Sequence, residues 1–258
     1  MIRGIDRFRE NFKDYSDCYV IIGGTACDAL MDEAGIDFRA TKDIDIVLLI
    51  EEIDLDFVQR IWDFIKNGNY KNLEKSSESK QYYRFMKPDK DDFPFMIEIF
   101  TRKPDLFQTN IDSKFTPLHF GNDISSLSAI LLDEDYYNLL RSNKMVIRGL
   151  SVAGTESLIL LKAKAFIDLA KRKDLGASID SKDIKKHRND VLRLSQLLAQ
   201  TQRITITDKL KSDFREFLAE LSGNENIELK QLGLKSISLQ NIISRLKNTF
   251  GIEKEKTK

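Results

Sequence analysis

Two aspartates separated by one residue, Asp43-Ile44-Asp45, open an apolar run that continues to Ile50. In an extended chain residues i and i+2 share a face, so both carboxylates would point together while Ile44 and Ile46 turn into a core. Neighbouring carboxylates repel, and a cation between them keeps both ionised; an all-oxygen ligand set favours a hard divalent ion such as magnesium. Upstream, the β-branched run Tyr19 to Ile22 meets Gly23-Gly24-Thr25, and a helix-like stretch follows from Thr25. Glycines there end a strand without side chains and let the backbone approach a phosphate closely. The next helix then offers free N–H groups and the positive end of its dipole. Nucleotide binding is therefore expected at Gly23, Gly24 and Thr25, with Lys42 beside the first aspartate as a cationic contact.

A third acid lies further on. Gln81 to Met86 and Phe93 to Thr101 read as two strands joined through turn residues Pro88 to Asp92, a hairpin in which Phe95, Ile97 and Ile99 take one face and Met96, Glu98 and Phe100 the other. An acid in an apolar strand is costly unless it is paired or binds a cation. Glu98 thus has two readings: a ligand completing a metal site with Asp43 and Asp45, or half of an ion pair with Arg84 on the facing strand.

The order of Gly-Gly turn, helix, Asp-x-Asp strand and later acidic strand resembles the nucleotidyltransferase superfamily, with its DNA polymerase β-like fold. Within it, GGTA followed by Arg39, Thr41, Asp43, Ile44 and Asp45 is most similar to the AbiEii/AbiGii abortive-infection toxin proteins. The interval from Gly24 to Asp43 is a few residues longer than in the compact form of the motif. The resemblance implies an α/β (α+β) catalytic domain, a mixed sheet flanked by helices, followed by an all-helical domain. It implies two magnesium ions on Asp43, Asp45 and Glu98, an NTP substrate, an RNA, tRNA or protein acceptor, and a cognate antitoxin. In the family a lysine that follows a Glu six residues earlier, as Lys162 follows Glu156, reaches the nucleotide phosphates, and an acidic motif ahead of a leucine-rich stretch is matched loosely by Asp190.

The positioning elements follow from periodicity. Ile5, Phe8 and Phe12 mark an amphipathic lead-in helix, and Leu55, Val58, Ile61, Trp62 and Ile65 mark a second helix ending near Gly68, with Trp62 as core. A short strand is expected at Tyr70 to Leu73, an irregular stretch with His119 from Thr101 to Asn122, partial helix over Ile124 to Arg141, and a strand with a turn at Arg148-Gly149 within Lys144 to Val152. From Thr155 the pattern is helical, with breaks at Gly176 and Gly223, so the expected domains are 1–153 and 154–258. On the first of these helices Lys162 falls on the apolar stripe of Leu158, Leu161, Ala165 and Leu169, where it needs an anionic partner or a route to water, whereas Lys164 points away. The next, Lys182 to Gln200, carries Asp183, His187 and Asp190 at helical spacing, a set suited to a metal or, more commonly, to capping and ion pairing. Its Lys182, Lys185, Lys186, Arg188 and Arg193 suit RNA or triphosphate, or equally a solvated face.

Composition narrows the class. With 41% hydrophobic and 32% charged residues the chain reads as globular, no apolar run is long enough to span a membrane, and the N-terminus lacks a signal-like stretch, so a cytoplasmic protein with reduced Cys18 and Cys27 is expected. From Ser151 onward 21 Lys and Arg face 14 Asp and Glu, a net of +7, which leaves −7 on the first 150 residues. An acidic half suited to metal is joined to a basic half suited to phosphates. The sequence therefore points to metal-dependent nucleotidyl transfer; its rivals are a non-catalytic binding protein on the same fold and a basic RNA-binding helical module.

Overall fold

Short β-branched and aromatic runs build a seven-stranded mixed sheet in a computed structural model that describes residues 2–75, 82–102, 130–131, 133–223 and 227–252. The chain enters through helix α1 (Ile5–Phe12), crosses strand β1 (Tyr19–Ile22), and turns directly into α2 (Gly23–Glu33). It returns along β2 (Asp43–Leu48), packs α3 (Leu55–Gly68), and continues through β3 (Asn72–Lys75), β4 (Tyr82–Met86) and β5 (Met96–Phe100). Helix α4 (Glu134–Ser142) precedes the hairpin β6 (Lys144–Ile147) and β7 (Leu150–Ala153). The strand order is β3-β4-β5-β2-β1-β7-β6. β2 runs antiparallel to β1 and parallel to β5, and β7 runs parallel to β1, so non-local pairings place β2 in the middle.

Phe8 and Phe12 of α1 and Phe57 and Phe64 of α3 meet around Tyr19, and Trp62 packs edge-on against Phe85. Trp62 is a core residue, as its helical spacing predicts. Leu55 departs from the expected stripe: it is the first residue after the cap Asp54, whose carboxylate accepts from the Phe57 N–H, and at 81% exposure it takes no part in the core. The strand expected at Tyr70 to Leu73 begins two residues late and takes in Glu74 and Lys75, which were expected in a loop. The irregular stretch with His119 lies outside the described residues apart from Thr101 and Arg102, whereas the partial helix expected over Ile124 to Arg141 is described in its second half, which forms α4.

The second unit is helical: α5 (Thr155–Asp174), α6 (Ser181–Leu194), α7 (Asp208–Ser222) and α8 (Leu239–Thr249), with 3-10 turns at Ser195–Leu197 and Leu229–Leu232. It also includes Asp133–Leu139, whereas Leu140–Gly154 belongs with the sheet. The Tyr136 hydroxyl donates to Asp213 on α7 and Lys209 pairs with Asp133, so part of α4 is tied to the helices by its polar groups. No helix among the described residues is long and apolar enough to cross a membrane. Both cysteines are unbridged and buried, and burial pushes the Cys18 thiol up to about 11, which keeps it protonated and inert near neutral pH.

Candidate active site

Asp43 and Asp45 are half-buried and alternate with buried Ile44 and Ile46, so the two carboxylates do leave one face of β2. In register, Asp45 lies opposite Ile22 on β1 and Glu98 on β5. The glycine turn packs onto this row. Gly23 has φ +67, and a Cβ there would fall 1.7 Å from Asp45 Oδ2; a Cβ on Gly24 would fall 2.6 Å from Thr41 Oγ1. Both positions require glycine, one for its left-handed conformation and both for close approach. The N-cap residue of α2, Ile22, offers no side-chain cap, and the helix starts at the glycine packed against the Asp45 carboxylate.

The longer interval before β2 has a structural purpose. α2 ends with Gly35 at φ +70, its N–H bonded to the Asp32 carbonyl while the Ile36 N–H bonds to that of Met31, the paired bonds of a glycine-terminated helix. The chain then runs back so that Thr41 and Arg39 cover Gly24. Thr25 is 1% exposed and its hydroxyl donates to the Asp43 carbonyl at 2.5 Å, so this side chain clamps α2 to β2 and only its backbone remains to meet a phosphate. Lys42 is exposed just ahead of Asp43.

Glu98 is 8% exposed and accepts from Arg84, with Nε at 2.6 Å and Nη2 at 2.5 Å from Oε1. The facing register of β4 and β5 dictates that pair, which is the ion-pair reading of Glu98. The donor chemistry of Asp43 and Asp45 fits a magnesium ion, with Glu98 one strand away from Asp45. Yet among the described residues no three His, Cys, Asp or Glu side chains are grouped to hold an ion. The arrangement as it stands offers two carboxylates, with the third drawn to Arg84.

Lys162 and Asp190, expected at the nucleotide, meet each other. Nζ lies 2.9 Å from Oδ2, with side-chain exposures of 7% and 0%, and Arg193 approaches the other carboxylate oxygen at 3.7 Å. The anionic partner that Lys162 needs on the apolar stripe of α5 is therefore on α6, and the pair ties the two helices together. Lys164, which was expected to point away from that stripe, bonds Asp168 at 3.0 Å and Asp213 at 3.5 Å.

The architecture is similar to several solved structures. JHP933 from Helicobacter pylori matches with 15% identity over 94% of this chain and 87% of its own, TM-score 0.44. An antigenic nucleotidyltransferase-like protein from Paracoccidioides brasiliensis matches with 12% identity over 93% and 98%, TM-score 0.44. The Megavirus polyadenylate synthase matches with 12% identity over 85% of this chain and 37% of its own, TM-score 0.42. No protein-family model and no curated protein matches the chain.

Two consequences are measurable. Gly23→Ala forces a side chain into the Asp45 carboxylate at a positive φ, and a loss of about 1–3 kcal/mol in chemical denaturation is expected, with the carboxylate displaced. Arg84→Met leaves the Glu98 carboxylate without its guanidinium, and a loss of about 2–3 kcal/mol is expected in the same measurement at neutral pH.

Proposed function

We propose that this protein transfers a nucleotidyl group from an NTP to a hydroxyl acceptor. The observation that carries the reading is the close packing of Gly23 on Asp45, which sets an uncapped helix N-terminus beside a carboxylate pair. The N–H groups at the start of α2 would hold the triphosphate, and Lys42 would add a positive charge at its edge. Asp43 and Asp45 would hold magnesium, which when bound supplies charge neutralisation at the phosphates and orients the acceptor oxygen. Glu98, steadied by Arg84, would sit at the end of this row to accept a hydrogen bond from the acceptor hydroxyl. The reaction forms a bond from the acceptor oxygen to the α-phosphorus and releases pyrophosphate.

The likeness of the Gly-Gly-Thr-Ala and Arg39-to-Asp45 residues to abortive-infection toxins supports a role as the toxin of a bacterial toxin–antitoxin or phage-defence pair, acting on RNA, tRNA or a protein and restrained by an antitoxin. Incubation with each α-labelled NTP, magnesium and either total RNA or cell lysate tests this. Label on one acceptor class is expected. The Arg84–Glu98 pair favours one rival, a nucleotide-binding protein without transfer. That protein would bind NTP in the same assay and label nothing.

A further inference from the structure

Arg188 on α6 is 8% exposed, yet among the described residues its guanidinium bonds only to the side-chain oxygen of its neighbour Asn189, from Nε at 3.2 Å and Nη2 at 3.0 Å. No carboxylate pairs with it there, and burial alone lowers its pKa. The nearby acid Asp190 is already engaged by Lys162 and Arg193. A largely buried cation without a counter-charge is costly, and proteins resolve that cost with an anion. Helical side chains lean toward the preceding turn, which here carries Lys185, an exposed second cation at i−3. Two like charges one turn apart repel unless an anion lies between them. Asn189 uses part of the planar fork and so orients the rest, and such a fork matches phosphate oxygens with paired hydrogen bonds.

We infer that Arg188 and Lys185 form a phosphate-binding site on α6, taking the oxyanion of either a terminal phosphate or a nucleic-acid backbone. The site stands apart from the Asp43–Asp45 reading, and its test is done without divalent metal so that the two fail separately. The full-length protein is titrated calorimetrically, at low ionic strength with EDTA, against inorganic pyrophosphate and, in a second arm, a short RNA lacking terminal phosphates. Wild type binds at least one of the two, and the arm that responds identifies the source.

Arg188→Met should weaken that binding about ten- to a hundred-fold, and Lys185→Ala by up to about five-fold. Without ligand, Arg188→Met should melt no lower than wild type, because an uncompensated buried charge has been removed. Arg188→Lys keeps the charge but loses the fork, and should also bind several-fold more weakly, which serves if the methionine variant does not fold. Wild-type binding in both Arg188 variants, or no binding of either probe by wild type, would overturn the site.

Discussion

Asp45→Asn is expected to abolish nucleotidyl transfer and leave the fold intact. Asp45 sits on the central strand with its carboxylate against the Gly23 backbone, and the asparagine occupies the same space, so packing barely changes. What is lost is charge. Electrostatic stabilisation by a bound metal amounts to several kcal/mol, which corresponds to a rate loss of about a thousand-fold or more. Removing one of two neighbouring carboxylates also relieves repulsion, so the melting temperature without metal should hold or rise. Asp43→Asn should behave alike. A variant that loses activity only because it unfolds would show both effects in one melting curve, which separates the cases.

The second large effect concerns Lys162. Its pair with Asp190 is among the most deeply buried charge contacts described, and Lys162→Met leaves a carboxylate with 0% side-chain exposure short of its nearest cation. Breaking such a pair costs about 3–5 kcal/mol, whereas replacing both partners by apolar residues of similar size is often neutral. Denaturant unfolding should therefore show a large loss for Lys162→Met and substantial recovery for Lys162→Met with Asp190→Leu. Recovery of stability is the decisive observation. If the double variant is as unstable as the single one, Arg193 or another group carries the charge of Asp190 and the pair is not what joins α5 to α6.

Where local pattern decides structure, the sequence was legible. Tyr19–Ile22 is read to the residue because a β-branched run ends at glycines, and the faces at the start of β2 follow from the alternation of Asp43 to Ile46, whereas β5 starts at Met96, leaves Phe95 exposed and is buried on both faces. The pairing of Arg84 with Glu98 was readable as an alternative, since an acid in an apolar strand needs a counter-charge and Arg84 lies on the facing strand. Other features depend on contacts distant in sequence. The parallel pairing of β7 with β1 leaves no mark on either strand. Asp190 as the partner of Lys162 depends on the relative phase of two helices. The bond from the Thr25 hydroxyl to the Asp43 carbonyl is likewise hidden, because its acceptor is a main-chain atom that no motif displays. Leu55 looked apolar and in phase, but the cap at Asp54 put it at the helix start, outside the core.

The most direct measurement compares NTP labelled at the α-phosphate with NTP labelled at the γ-phosphate, in magnesium, with wild type and Asp45→Asn side by side. The account predicts that the α label moves to an acceptor, that the γ label leaves as pyrophosphate, and that Asp45→Asn moves neither. Transfer of the γ label, or undiminished α-label transfer by Asp45→Asn, would contradict it.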